Sequence, residues 1–186
     1  MRASACERLA RRPLTGHWFR ALRLRHWSSR LSSDHSRTSR SRFSAASPSN
    51  PLFRILYLGE THQVAVHEVG ALLGDPNAPV SNPKGSWAIL SLSIVIDQVV
   101  DLTDSTQQRI IRTNQSELTG NWVNYAGVSP TQQLGEALYH LPGLVGFIFG
   151  SSKVPANCLA IFPDKLSAKS SVTFDNEMTG RTERMS

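Results

Sequence analysis

The sequence predicts a single α+β domain of short mixed or antiparallel strands with flanking helices. Three observations point to it. With 186 residues the chain is long enough for one domain with a real core. Short β-prone runs bounded by Gly and Pro occur at 52–58, 87–96, 145–149 and 157–162. Helical patterns lie among them, but without the strand–helix–strand repetition that builds a doubly wound parallel sheet.

In chain order, a short helix is expected at 7–12, a strand near 17–24 and a Ser-rich loop to Phe43. The Ser-Pro-Ser-Asn-Pro cluster ending at Pro51 marks a turn. Residues 52–73 then read as strand, turn and helix. Phe53, Ile55, Tyr57 and Leu58 are β-prone, Gly59 permits the turn, and Thr61 suits the helix N-cap. That helix is expected to run to the stop signal Gly74-Asp75-Pro76, followed by a Pro- and Asn-rich loop to Gly85. The run 87–96 is the strongest strand, with 99–102 as its continuation or a second strand. Thr103 or Asp104 can cap a short helix through Arg112, and 113–128 reads as a loop or irregular helix.

Ser129-Pro130-Thr131-Gln132 has the form of a capping box with Pro at the first helical position. It opens a helix with Leu134, Ala137, Leu138 and Leu141 on one face, ended by Pro142-Gly143. Residues 145–149 form a buried strand, Gly150 a turn and 157–162 another strand. From Lys165 onward the chain is polar, and its last dozen residues are expected to be loose.

The strand–turn–helix stretch carries two unusual side chains. Tyr57 ends the strand, and Glu68 falls on an otherwise apolar helical face in register with Val64 and Leu72. A carboxylate in such a place needs a partner or a task, because an unpaired buried charge is costly.

Charge is unevenly divided. Residues 1–50 hold eleven Arg, no Lys and only Glu7 and Asp34, whereas the remainder is net acidic. Such an N-terminal quarter suits a targeting extension or an anionic ligand, and Trp18, Phe19, Leu22, Leu24, Trp27 and Phe43 favour the ligand. A nucleic-acid partner is open on charge alone, but no zinc finger, homeodomain or RNA-recognition signature accompanies the arginines. Cys6 and Cys158 are too few and too far apart for a disulfide framework, which fits a reducing cytoplasm. The longest uncharged apolar run, 87–96, is too short to span a bilayer.

The sequence contains no P-loop, dinucleotide fingerprint, His-Glu-x-x-His or Gly-x-Ser-x-Gly. What remains is a dispersed set: Arg20, Arg42, Tyr57, Glu68 and the Gly150-Ser151-Ser152-Lys153 loop. This set, in this order, resembles the RES domain family, toxins of bacterial type II toxin–antitoxin modules. The closest segments are Leu56-Tyr57-Leu58-Gly59-Glu60 with Ala65-Val66-His67-Glu68-Val69, and Phe147-Ile148-Phe149-Gly150-Ser151-Ser152 with Asn157 beyond. Val100-Asp101-Leu102-Thr103-Asp104 and Thr131-Gln132-Gln133-Leu134-Gly135 are also similar to family segments. Trp18-Phe19-Arg20 is similar to the first arginine motif, although Ala21 stands where an aromatic is frequent. Ser41-Arg42-Phe43-Ser44 stands where Gly-Arg-Trp-Asn is usual.

The resemblance implies a domain over 17–163, with 1–16 an N-terminal extension and 164–186 a polar C-terminal tail. It also implies a fold like that of the ADP-ribosyltransferase toxins, NAD as substrate, chemistry at the nicotinamide–ribose bond, and a cognate Xre-like antitoxin. Glu68 and Ser151 take catalytic roles in this expectation, and Arg20, Arg42, Tyr57, Ser129 and Asn157 bind the dinucleotide. Ser129 competes with Ser151 as the functional serine, its capping box arguing equally for structure. A planar guanidinium suits a diphosphate better than a lysine does, a flat tyrosine ring suits nicotinamide, and a carboxylate suits a cationic ribose. The acceptor is phosphate, water or a protein side chain. Nucleic acid would be reached only through the antitoxin. A different class stays open beside this: a basic nucleic-acid-binding or structural protein with an Arg-rich N-terminal arm.

Overall fold

A computed structural model of the chain describes residues 2–185. The longest ladder joins β1 (Arg11–Arg23) to β5 (Trp87–Asp101), antiparallel from Arg11 opposite Val100 to Arg23 opposite Trp87. Around this pair the main sheet runs β1, β2 (Leu56–Gly59), β7 (Asn157–Ile161), β6 (Gly146–Gly150), β5, β8 (Ser171–Asn176), β9 (Arg181–Arg184). Because β1 also pairs with β5, the first five of these strands close into a ring. The β1–β2 seam is one residue pair wide, Phe19 opposite Gly59. Among the described residues only β5 and β6 run parallel, and the crossover between them carries α3 (Ser105–Ile110), α4 (Gln115–Thr119) and α5 (Pro130–His140). A small second sheet pairs β3 (Leu72–Leu73) with β4 (Val80–Ser81).

Strand alternation divides the core into two layers. Phe147, Phe149, Cys158 and Ala160 pack with Phe43, Phe53, Leu134 and Leu138 on the face covered by α5. Ile148, Leu159, Ile161, Leu56 and Leu58 pack with Leu90, Leu92, Ile94 and Ile96 on the other. Tyr57, between Leu56 and Leu58, is thereby turned to the α5 face with Phe149 and Cys158.

The α+β class is as expected, but several elements differ. The N-terminal helix is α1 (Arg2–Cys6), not 7–12, because Arg11 and Arg12 are already in β1. That strand is longer than the expected 17–24. Its register shifts between Arg12 and Leu14, where Pro13 has no N–H to give to the ladder. The expected strands 87–96 and 99–102 are one fifteen-residue strand that ends at Asp101. The expected loose end is instead the β8–β9 hairpin, with Val172 and Met185 buried in the core. The Arg-rich N-terminal quarter is likewise built into the fold rather than extended as an arm, since β1 is a central partner of β5.

The helix carrying Glu68 is α2 (His62–Glu68), and it stops well short of Gly74. Gly70 takes φ +70°, its N–H donates to His67 O at 3.0 Å, and the Ala71 N–H donates to Val66 O at 2.8 Å. This is a Schellman stop, which only a residue tolerant of left-handed backbone makes at low cost. Leu72 therefore leaves the helix for β3, and Glu68 ends it exposed, not buried beside Val64.

Candidate active site

A cleft of about 240 Å3 opens where β1 and β2 meet α2 and the ends of β6 and β7. Phe19 and Ala21 come to it from β1, Tyr57 from β2, Glu68 and Val69 from the end of α2, and Cys158 from β7. Arg42 arrives on a turn, and Trp122 at the start of a short 3-10 helix (Trp122–Asn124). Three predicted residues, Arg42, Tyr57 and Glu68, thus share one cavity.

The turn into α2 is tight. A Cβ on Gly59 would lie 2.6 Å from Ala65 N, so this position accepts only glycine without a backbone shift. Thr61 Oγ1 accepts the Val64 N–H at 3.2 Å and caps the helix as expected, an interaction typically contributing about 1 kcal/mol. Glu68 sits at the opposite end, where the helix dipole disfavours negative charge. Two donors offset this. Ser151 Oγ donates to Glu68 Oε1 at 2.5 Å, and the Ser152 N–H donates to the same oxygen at 3.2 Å. Ser151 Oγ is itself oriented by the N–H groups of Lys153 and Val154, at 3.0 and 3.3 Å. The second carboxylate oxygen, Oε2, has no hydrogen bond among the described residues.

Arg42 is held by three neutral acceptors: Leu118 O at 3.0 Å, Gly120 O at 2.7 Å and Ser152 Oγ at 3.1 Å. Burial lowers its pKa, while the charge of Glu68 pulls the other way. The segment that carries it lies against α5 with almost no clearance, a Cβ on Gly135 falling 2.0 Å from Phe43 O.

The predicted capping box is present. Ser129 Oγ accepts the Gln132 N–H at 3.2 Å, and Gln132 Oε1 accepts the Ser129 N–H at 2.9 Å. Gln132 Nε2 then donates to Ser41 O at 2.8 Å. Ser129 is fully buried in this network and does not line the cleft; its connection to Arg42 runs through Gln132.

Tyr57 turns its hydroxyl inward, bonding Ser41 Oγ at 2.9 Å and accepting the Phe43 N–H at 3.2 Å. Burial pushes its pKa up to about 12 despite these bonds. Its ring meets Phe149 edge-on, with centroids 6.3 Å apart, and forms part of the cleft wall. Cys158, in the same wall, is a free thiol held well above its ordinary pKa, first by burial and then by the charge of Glu68. A protonated thiol is not a nucleophile.

The remaining predicted residues stand apart. Arg20 alternates with Phe19 and Ala21 along β1 and lines a neighbouring cavity of about 510 Å3 that shares Ala21 and Val69 with the cleft. It donates to Arg30 O at 2.6 Å and Ser32 O at 2.9 Å, and burial pushes its pKa down to about 10. Asn157 lies with Ser151 on a third cavity behind the 150–157 loop, its N–H donating to Glu60 Oε2 at 3.0 Å.

Sequence reasoning did not single out Trp122 or use Phe19 as a cleft residue. Phe19 was legible from alternation within 17–24. Trp122 belongs to an irregular stretch, after α4, that offers no periodicity. Among the described residues no group of His, Cys, Asp and Glu could hold a metal, and no helix is long and apolar enough to cross a membrane.

Comparison with known proteins agrees with this picture. The model of the RES domain matches residues 17–179. In three dimensions the chain is similar to a chain in the crystal structure of the M. tuberculosis MbcT–MbcA toxin–antitoxin complex. The TM-score is 0.72 at 14% sequence identity, over 100% of this chain and 92% of that one. No curated protein matches the sequence. At that identity the structural likeness establishes the fold, whereas the domain match extends over most of the sequence. The chain belongs to the RES domain family.

Proposed function

We propose that this protein is a RES-type toxin that consumes NAD at the nicotinamide–ribose bond, arresting growth unless a cognate antitoxin of the Xre-like kind covers the cleft. The observation that carries the reading is the anchored carboxylate: Glu68 fixed through one oxygen by Ser151 and Ser152, in a cleft it shares with Arg42 and Tyr57.

The residues divide the work as follows. Phe19, Tyr57 and Trp122 give a flat ligand aromatic walls. At about 240 Å3 the cleft is smaller than the 300–1,000 Å3 usual for a whole ligand, so it suits the nicotinamide riboside end. Arg42, whose hydrogen bonds all go to neutral acceptors, supplies a cation for the diphosphate, and Arg20 supplies another from the adjoining cavity.

As the C1′–N bond breaks, its electron pair leaves with neutral nicotinamide and the ribose becomes cationic. Glu68 Oε2 can accept a ribose hydroxyl, and the carboxylate stabilises that cation, a contribution of several kcal/mol in a preorganised site. An acceptor oxygen or nitrogen then bonds C1′ and gives up its proton. Phosphate, water and a protein side chain each satisfy that step, giving phosphorolysis, hydrolysis or ADP-ribosyl transfer. Such chemistry belongs in the cytoplasm, where the substrate and the growth machinery are.

Incubating the purified protein with NAD, with and without phosphate, and following free nicotinamide tests the reading. Release is expected in at least one condition. Folded protein that releases none with phosphate, water or added cell protein as acceptor would remove it. The alternative of a basic nucleic-acid-binding protein predicts instead an affinity for nucleic acid that falls steeply with salt.

A further inference from the structure

The cavity beside the cleft carries charge of one sign. Arg20, Arg23, His26, Arg30 and His35 line it, together with Trp87 and without a carboxylate. Arg30 is offset by Glu183, its ion-pair partner. Among the described residues Arg20 and Arg23 have no carboxylate partner. Arg20 donates to two carbonyls, and Arg23 donates to Lys84 O at 2.8 Å while lying 5.2 Å over the Trp87 ring. Carbonyls and ring faces orient a guanidinium without cancelling its charge, so two cations face one cavity uncompensated.

The consequence rests on the NAD reading given above. With nicotinamide riboside in the cleft, the diphosphate falls toward the shared Ala21 and Val69 walls, and the adenosine end enters the basic cavity. On that path Arg42 and Arg20, one from each cavity, take the two charges of the diphosphate. Arg23, two residues beyond Ala21 on β1, is then in surplus unless the adenosine end carries a phosphate of its own. We propose that this cavity is a site for a phosphorylated adenosine end and that the protein takes NADP in preference to NAD.

Nicotinamide release from NADP and from NAD, measured side by side on the full chain, tests this together with calorimetric binding of adenosine 2′,5′-bisphosphate and of adenosine 5′-monophosphate. The expected kcat/KM is about tenfold higher for NADP, with the bisphosphate bound about tenfold more tightly, the scale of one charge-assisted hydrogen-bonded pair. Arg23→Gln should bring both ratios near one, and Arg23→Lys should restore part of them. Equal use of the two dinucleotides with equal binding of the two adenosine nucleotides overturns the proposal and leaves the NAD reading intact. No release from either dinucleotide, with the bisphosphate still bound preferentially, removes the NAD reading and keeps the phosphate cavity.

Discussion

Ser151 Oγ donates its proton to Glu68 Oε1 while accepting the N–H groups of Lys153 and Val154, so the serine hydroxyl ties a β-loop to the end of a helix. Under the proposed function the serine acts on Glu68, fixing one oxygen and leaving the other for substrate. Ser151→Ala should lower kcat about 10- to 100-fold with little change in KM, the scale of a lost hydrogen bond to a charged group. A change confined to KM would instead place Ser151 in ground-state binding of the dinucleotide.

Arg42 is fixed by three acceptors on two segments, and a lysine cannot reproduce that fork. Arg42→Lys is expected to cost about 1–3 kcal/mol of stability and at least tenfold in kcat/KM. Thermal unfolding and steady-state kinetics measure the two effects. Full activity in the lysine variant would mean that a point charge suffices.

Gly135 tests whether Arg42 is placed from behind. A methyl group there meets Phe43 O at 2.0 Å, so Gly135→Ala must push α5 away from the segment bearing Arg42. Overpacking of this kind costs about 1–3 kcal/mol. Activity should fall further than stability alone explains, measured at a temperature where the variant is fully folded. Activity in proportion to folded protein would separate the helix contact from the site.

Tyr57 gives a pH signature. Its folded pKa of about 12 lies above the ordinary value of 10.0, so the native state holds the phenolic proton longer than the unfolded chain. The associated stability is complete below pH 10 and is lost as pH rises through the folded pKa. Denaturant titrations across that window should show a downward slope in the native protein and a shallower one in Tyr57→Phe. Identical slopes would assign the alkaline loss to other groups.

The parts of this site that were legible in the sequence are those fixed by local chemistry. Ser129-Pro130-Thr131-Gln132 states a capping box, and Thr61 states an N-cap, because both bonds close within a few residues. The alternation through Leu56, Tyr57 and Leu58 likewise shows that Tyr57 faces away from its neighbours. The end of α2 was misread because two stop signals compete: Gly70 alone reads as a tolerated helical glycine, and Gly74-Asp75-Pro76 reads louder. The early stop is written in the Ala71–Val66 and Gly70–His67 bonds. The separation of Arg20 from Arg42 and the reach of Gln132 to Ser41 depend on packing between distant segments, which no local pattern encodes. The C-terminal hairpin was missed because its polar composition hides two core residues, Val172 and Met185.

The most direct measurement is nicotinamide release from NAD by the native protein and by Glu68→Gln, with circular dichroism and thermal unfolding confirming that both are folded. The amide keeps the shape of the carboxylate and removes its charge. The native protein should release nicotinamide, and the variant should fall by at least 10³-fold, in line with the loss of a major electrostatic contribution. A folded Glu68→Gln variant that releases nicotinamide at a near-native rate would contradict the account.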